Sequence, residues 1–351
     1  NDWDIKWHGL QTRLFDRHGL ASIKATKKLV EKIKEIQPDI IHLHNLHGYY
    51  LNIEILFHYL ATANIPVVWT LHDCWPMTGH CAYFSFIVCD KWKTQCEHCS
   101  QKKGYPASYL MDRSYQNYRL KKELFTSVSK MTLVPVSNWL ATIVKDSFLK
   151  GYPVKTIYNG VNTKVFSPQA TDEIREKYKI GNRFVMLGVA SVWSERKGLK
   201  DFIHLSRLLK DDEMIILVGL TNRQINHLPS NILGIRRTEN VHQLAELYSL
   251  ADLFVNPTWE DNFPTTNLEA LACGTPVVTY RTGGSPEALT TETGFVVKQG
   301  DLAGIRKVID TVKSKGEIFY SAACRERAVK MFNKNDRYAE YIQLYEQLLS
   351  E

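Results

Sequence analysis

Residues 253–280, "LFVNPTWEDNFPTTNLEALACGTPVVTY", contain two apolar runs with a helical pattern between them. An apolar run ends near Pro257, a polar loop follows, a helix begins about Thr265 or Thr266, and a second apolar run starts at Pro276. This order places the amino terminus of the helix beside the carboxyl end of the first strand. Free backbone amides and two threonine hydroxyls at a helix amino terminus favour an anion such as a diphosphate.

The same alternation continues along the rest of the chain. Helical patterns such as "DFIHLSRLLK" (201–210) separate the apolar, β-rich runs, which indicates parallel sheets covered on both faces. The runs occupy residues 39–44, 67–71, 131–136, 184–190, 214–219, 253–257 and 276–280. At 351 residues the chain exceeds one ordinary core, so we expect two doubly wound domains.

A break in this pattern suggests the domain boundary. Asn159, Gly160 and Pro168 interrupt it, which is typical of a linker. We therefore expect one Rossmann-like domain over 1–162, with a cysteine-rich insertion at 74–106, and a second over 163–334. Residues 335–351 have apolar residues at helical spacing, and we expect this helix to pack back toward the first domain. Two such domains joined by a hinge would bind ligands at the carboxyl ends of their strands, in a cleft.

The charge of the chain limits the classes of ligand that it is expected to bind. A formal net charge of +7 is spread without a long basic run, which favours anionic ligands and argues against nucleic acid. Lysines concentrate on the predicted helix at 23–36, where a solvated face and a peripheral membrane contact both stay open. No apolar run approaches the roughly 18 residues that span a bilayer, so we expect a cytoplasmic protein, with the inner face of the membrane as a further location.

Two carboxylates lie close to the predicted anion site. Asp261 is in the loop and Glu269 is one turn into the helix, eight positions later. They can bind hydroxyl pairs on either side of a phosphate group, one pair on a sugar and one on a ribose. On the residues alone, a purely structural interpretation is equally good, with Asp261 as a charge at the helix amino terminus and Glu269 as a buried cap partner.

Several further motifs keep a fixed order around this segment. They are "IYNGVNTKVF" (157–166), "SERKGLKDF" (194–202), "ELYSLADLFVNPT" (246–258) and "GGSPE" (283–287). Within the segment itself, Asp261 is followed after seven residues by Glu269, and "ALACGTPVV" comes directly after Glu269. Together they resemble the retaining nucleotide-sugar glycosyltransferases of family 4, including those of bacterial polysaccharide and colanic-acid type. The resemblance implies the GT-B fold, with an acceptor-side first domain and a nucleotide-sugar-binding second domain facing a cleft. Such first domains open with a strand and a glycine-rich loop, whereas the first clear strand here starts at Asp39, so we expect a truncated amino-terminal domain.

The resemblance also implies site residues. Lys197 occupies the place of the family's phosphate-binding lysine, and Arg196 either takes over the role of its arginine or is a surface residue. Asp261 stands where the family usually has Glu, and Glu260 directly precedes it, so either carboxylate is a candidate for the sugar contact. Pro264 replaces a glycine and has no amide hydrogen, so the phosphate amides are assigned to the residues after it. The donor-binding set is Arg196, Lys197, Asn262, Phe263, Thr265, Thr266 and Glu269, and the catalytic set is His72, Asp261 and Lys197.

His72 follows the predicted strand 67–71, and in the resembling family a histidine there contacts the donor sugar and phosphate. An imidazole can bond both a hydroxyl and a phosphate oxygen. The resemblance implies retention of configuration through an oxocarbenium-like transition state, with a leaving phosphate oxygen taking the acceptor's proton. No metal cofactor is then needed, because Lys197 and the helix terminus neutralise the leaving group.

The function expected is therefore transfer of a sugar from a nucleotide-diphosphate sugar to a glycan or lipid-linked acceptor in surface polysaccharide synthesis. Two alternatives stay open. One is a GT-B nucleotide-sugar epimerase or phosphorylase, and the other is a zinc-stapled binding protein without catalysis.

Five of the seven cysteines crowd between residues 74 and 99. Cys96 and Cys99 form a C-x-x-C pair, and Cys81 and Cys89 can complete four thiolates in a loop that has no obvious core. This pattern predicts a structural zinc, although His80 and His98 are rival ligands and buried free thiols are common. Cys74 is expected to be a structural thiol.

Overall fold

The computed structural model describes residues 2–350. The chain divides into two compact units. The first consists of Asn1–Ile157 with Glu340–Glu351, and the second of Tyr158–Ala339. Each unit is built around its own parallel sheet.

The sheet of the first unit has three parallel strands in the order β1-β2-β3, namely β1 (Ile41–Leu43), β2 (Val67–Leu71) and β3 (Met131–Pro135). Every residue of the central strand β2 is buried, as its continuous apolar sequence predicts. Ile41 is in register with Val67, and Val67 with Met131. The α-helices described between residues 2 and 157 are α1 (Asp2–Phe15), α2 (Ile23–Ile36), α3 (Ile53–Ala63), α4 (Ser114–Phe125) and α5 (Asn138–Asp146).

The long segment between β2 and α4 is anchored by buried polar contacts. It contains three short 3-10 turns, Trp75–Met77, Ser85–Ile87 and Lys91–Lys93. Lys121 of α4 is buried and its Nζ donates to the carbonyl oxygens of Trp75 at 2.7 Å and Thr78 at 3.0 Å. Burial lowers the pKa of this lysine to about 7. His80 Nδ1 contacts Asp16 Oδ1 at 2.5 Å, which ties the segment to the turn after α1.

The carboxyl-terminal helix α13 (Lys334–Ser350) contributes its later residues to the first unit. Leu344 packs in a buried cluster with Val68, Val134 and Ile157. The hydroxyl of Tyr341 lies 2.9 Å from Thr70 Oγ1. Apolar and polar contacts therefore both join this segment to the small sheet.

The sheet of the second unit has six parallel strands in the order β6-β5-β4-β7-β8-β9. They are β4 (Phe184–Val189), β5 (Glu213–Val218), β6 (Ile232–Ile235), β7 (Leu253–Asn256), β8 (Val277–Tyr280) and β9 (Gly294–Val297). The helices of this part are α6 (Asp172–Lys177), α7 (Leu199–Leu205), α8 (Asn222–Ile225), α9 (Val241–Leu250), α10 (Thr265–Ala272), α11 (Leu302–Lys315) and α12 (Ile318–Phe332). The predicted parallel α/β architecture is confirmed.

Two details differ from the predicted elements. Strands β6 and β9 lie outside the predicted apolar runs, and they are the two edges of the six-stranded sheet. The helix predicted at 201–210 ends at Leu205 and continues as a 3-10 turn, Ser206–Leu208. Across residues 2–350, none of the helices combines the length and the apolarity that a membrane crossing requires.

Candidate active site

The first cluster of candidate residues lies in the second unit, at the amino terminus of α10. The helix begins at Thr265, directly after Pro264, which is the N-cap residue and makes no side-chain cap bond. Thr265 is exposed and Thr266 is half-buried, so both hydroxyls can meet a ligand. The amides of the first turn have no partner within the helix, and the positive end of its dipole favours an anion there.

The structure brings Lys197 and Asp261 together. Lys197 Nζ donates to Asp261 Oδ2 in a close ion pair, with 25% and 17% of the two side chains exposed. The lysine follows β4 and the aspartate follows β7, and these strands are parallel neighbours, with Met186 in register with Leu253. Their carboxyl ends therefore deliver both residues to one edge of the sheet.

Two hydrogen bonds join the loop after β4 to the loop after β7. Arg196 Nη1 donates to the carbonyl oxygen of Glu260 at 2.6 Å, and Trp259 N donates to the carbonyl oxygen of Arg196 at 2.7 Å. Gly198 has a φ of +78°, and a Cβ there would lie 2.2 Å from the carbonyl oxygen of Pro257. Arg196 therefore holds the loop that carries Lys197, and the role expected for it in donor binding stays a prediction.

A third loop, after β8, closes on Asp261 from the other side. Gly283 has a φ of +52°, and a Cβ there would lie only 1.8 Å from the carbonyl oxygen of Asp261. Gly284 N donates to the same oxygen at 3.3 Å. Glycine is required at 283 by both the conformation and the close approach.

Glu269, the second predicted acid, points toward a buried tyrosine. Its Oε2 accepts a hydrogen bond from the hydroxyl of Tyr248 at 2.8 Å, and Tyr248 is fully buried. Burial raises the pKa of Glu269, while the bond from Tyr248 acts in the opposite direction. The tyrosine orients this carboxylate, and its contact with a ribose stays a prediction.

Phe263 and Asn262 are both buried. The ring of Phe263 stacks on Tyr158 at 4.8 Å between centroids, and Asn159 Nδ2 donates to the carbonyl oxygen of Phe263 at 3.3 Å. The side chain of Phe263 therefore fixes the loop through its ring contact with Tyr158. The roles expected for Asn262 and Phe263 in donor binding stay predictions.

A buried polar network behind the helix terminus involves residues that the sequence did not single out. Asn267 Nδ2 donates to Ser285 Oγ at 3.0 Å, and Asn267 Oδ1 accepts from Asn256 Nδ2 at 2.8 Å. Ser285 Oγ lies 2.7 Å from Thr279 Oγ1. These bonds connect β7, α10, β8 and the loop after β8. The available signal was a side-chain amide, Asn267, in the first turn of a helix whose other buried residues are apolar.

The second cluster lies in the first unit, around His72. This residue directly follows β2, as predicted, and its Nε2 lies 3.1 Å from His44 Nδ1. Burial lowers the pKa of His72, and the nearby His44 and His47 lower it further. The charge of Asp73 acts in the opposite direction but does not outweigh them. His44 directly follows β1 and was not among the predicted site residues, although the H-x-H pattern of 42–44 was visible in the sequence.

The four cysteines of the predicted zinc site line one small cavity of about 20 Å³, together with His80. All seven cysteines are free thiols, and Cys74 is fully buried. Nevertheless, in the part of the chain that the structure describes, no group of three or more His, Cys, Asp or Glu residues is placed to hold a metal ion. The zinc prediction for Cys81, Cys89, Cys96 and Cys99 is therefore not supported, because nearness alone does not form a ligand set.

Solved structures with the same architecture define the class. The chain superposes on sucrose-phosphate synthase from Thermosynechococcus elongatus with a TM-score of 0.71, 19% identity, and coverage of 93% of this chain and 78% of that one. HepE from Anabaena, solved in complex with UDP, gives a TM-score of 0.68, 19% identity, and coverage of 92% and 81%. At these identities the likeness shows the fold, which is GT-B.

Family models and relatives give the particular group. Residues 4–165 match the model described as Glycosyltransferase Family 4, and residues 182–313 match that of Glycosyl transferases group 1. The chain belongs to the glycosyltransferases that these two models describe. It is 23% identical to the glycosyl transferase WcaC of Escherichia coli (strain K12), assigned to colanic acid biosynthesis, over 96% of this chain and 82% of that protein. It is 30% identical to the alpha-galactosylglucosyldiacylglycerol synthase of Streptococcus pneumoniae, over 45% of this chain and 46% of that protein.

Proposed function

We propose that this glycosyltransferase moves a sugar from a nucleotide-diphosphate sugar to a glycan or lipid-linked acceptor, with retention of configuration. The observation that carries the proposal is the Lys197–Asp261 ion pair beside the amino terminus of α10. A cation, a carboxylate and a row of helix amides at one edge of a parallel sheet match a diphosphate that carries a sugar.

The main catalytic contribution would be stabilisation of the leaving diphosphate by Lys197 and by backbone amides. As the bond between sugar and diphosphate breaks, negative charge grows on the leaving phosphate, and Lys197 and the amides of Thr265 and Thr266 would stabilise it. This arrangement asks for no metal cofactor in catalysis. HepE was solved in complex with UDP-glucose, which supports a nucleotide sugar as the donor on this fold.

The carboxylates and His72 would select and orient the sugar. Asp261 would accept hydrogen bonds from sugar hydroxyls while Lys197 turns toward the phosphate, and Glu269, oriented by Tyr248, would accept from the ribose. His72 would bond the sugar. No protein nucleophile is needed, since a leaving phosphate oxygen can take the acceptor's proton.

The acceptor side of the proposal rests on the relatives. WcaC is assigned to colanic acid biosynthesis, and the pneumococcal relative is named as a synthase of a glycosylated diacylglycerol. We therefore propose a polysaccharide or lipid-linked acceptor bound by the first domain. Such an acceptor would bring the protein to the inner face of the membrane.

A donor panel tests the proposal. Purified protein would be incubated with nucleotide sugars in EDTA, with water and added glycan or glycolipid acceptors to receive the sugar, and release of the nucleoside diphosphate would be measured by chromatography. We expect release from at least one donor, and a loss of about 100-fold in Lys197→Ala. Lys200→Ala is the matched control, because Lys200 is exposed and pairs with Glu195 at the surface. Nucleotide binding without release from any donor would contradict the proposal and favour a binding protein.

A further inference from the structure

Two histidines meet at the carboxyl edge of the small sheet in the first unit. His44 Nδ1 lies 3.1 Å from His72 Nε2, and the two rings stack with 5.4 Å between centroids and 21° between planes. Each residue directly follows a strand, and β1 and β2 are parallel neighbours. The parallel register therefore brings both rings to the same edge.

His44 is itself held in place. The indole nitrogen of Trp69 donates to the His44 carbonyl oxygen at 3.2 Å, which fixes the backbone. The centroids of the His44 and His42 rings are 4.2 Å apart. His42 in turn is held by Thr70 Oγ1, 2.8 Å from its Nε2, and by the Tyr345 hydroxyl, 2.5 Å from its Nδ1. The backbone of His44 is thus fixed by Trp69, and its ring packs against a His42 ring that is itself held by two hydrogen-bond contacts.

The contact also constrains protons. Two imidazole nitrogens at 3.1 Å share one hydrogen, so one ring donates and the other accepts. If both rings were charged, two N–H groups would face each other. Burial lowers the pKa of His44 as well as that of His72. Because both pKa values lie below the ordinary imidazole value, the uncharged forms dominate near pH 7. The shared hydrogen couples the two tautomers, since the ring that donates requires the other to accept.

We propose that His44 is a positioning residue for His72, fixing its ring orientation and its neutral tautomer for contact with the donor sugar. The inference rests on the proposed function. A neutral His72 with one assigned nitrogen offers the sugar a defined hydrogen-bond pattern, whereas a freely rotating ring would offer a mixture.

Long-range ¹H–¹⁵N NMR of histidine-labelled full-length protein tests the pair without any activity assay. His72 signals would be assigned with His72→Gln. We expect one dominant neutral tautomer in the wild type. In His44→Phe, which keeps a ring and removes the nitrogen, we expect a tautomer mixture and a raised pKa of His72. His44→Asn, whose amide can replace Nδ1, should restore the single tautomer. An unchanged His72 spectrum in His44→Phe would overturn the proposal.

Kinetics with an active donor provide the second measurement. We expect kcat to fall roughly tenfold in His44→Phe with little change in KM, and His44→Asn to recover most of it. Equal kcat values in wild type and His44→Phe would overturn the positioning role. If His44→Phe changes the His72 tautomer as expected but the wild type turns over no donor, the proposed function fails while the positioning of His72 by His44 stands.

Discussion

At the residue scale, the sequence motifs placed Lys197 and Asp261 in one site, but they did not predict the ion pair between them. The pairing follows from the neighbouring positions of β4 and β7, which no local pattern contains. A lysine bonded to Asp261 cannot give its full charge to a phosphate. Under the proposed function, Lys197 would therefore turn from Asp261 toward the phosphate when a donor binds.

Removing the charge of Asp261 separates its two contributions. We expect Asp261→Asn to lower kcat by about 100-fold, because a sugar contact and a partner of Lys197 are lost together. Affinity for UDP should be equal or higher, since Lys197 is released toward the phosphate. Kinetics and titration calorimetry would measure the two quantities.

Two control variants accompany this test. Asp261→Glu places the family's usual acid at the position and should keep most of the activity. Asp211→Asn changes an exposed aspartate in a surface turn and should change neither quantity. A wild-type kcat in Asp261→Asn would contradict the role assigned to Asp261.

Other residue roles were beyond the reach of sequence patterns for identifiable reasons. Glu269 and Tyr248 lie 21 positions apart on different helices, so their hydrogen bond depends on how α9 packs beside α10. The cysteines do share a cavity, as their spacing suggested. Metal binding further requires ligand directions, which side-chain geometry sets and spacing does not.

At the element scale, the edge strands were the hardest to predict. β6 has Gly234 between Leu233 and Ile235, and β9 begins with Gly294, so neither makes a long β-branched run. The inner strand β4 is apolar throughout and β5 is apolar after Glu213, and both are buried along nearly their whole length, as expected of a sheet that is covered on both faces. The parallel fold was therefore predictable from its centre outward.

Glu213 anchors β5 to α11 and makes stability depend on pH. Arg306 Nη1 contacts its Oε2 at 2.5 Å, and Lys313 Nζ contacts its Oε1 at 3.1 Å. Burial opposes ionisation of Glu213, but the hydrogen bonds outweigh it and lower its pKa from 4.5 to about 2. The ion pairs therefore stabilise the fold above pH 4.5, and this contribution is lost as the pH falls toward 2.

We accordingly expect Glu213→Gln to lower the free energy of unfolding by about 2 kcal/mol at pH 7. The difference from wild type should shrink below pH 4.5, where the wild type loses the same charge. Chemical denaturation at several pH values measures it. Glu326→Gln removes an exposed partner of Lys330 and should have little effect. A difference that stays constant with pH would contradict the assignment.

The loop after β8 should tolerate no side chain at its first glycine. In Gly283→Ala the new Cβ would collide with the Asp261 carbonyl oxygen, so the Asp261 loop must move. We expect kcat/KM to fall at least tenfold, with a lower melting temperature. Gly151→Ala, where a Cβ meets nothing within 4 Å, is the control and should behave as wild type. Full activity in Gly283→Ala would show that the close approach is unnecessary.

At the scale of the whole molecule, we propose different tasks for the two units. The second unit would bind the nucleotide and diphosphate, and His72 of the first would bond the sugar. We therefore expect His72→Ala to bind UDP within about twofold of wild type but to lose about 100-fold in kcat. Calorimetry and initial rates measure both effects. A large loss of UDP affinity would place His72 at the phosphate instead.

Sugar transfer with retention and without a metal cofactor can be followed in one experiment, by ¹H NMR of a donor that turns over in EDTA with water or an added acceptor. We expect steady release of nucleoside diphosphate and a first-formed product with the anomeric configuration of the donor. An inverted first product, or release that requires an added divalent metal, would contradict it.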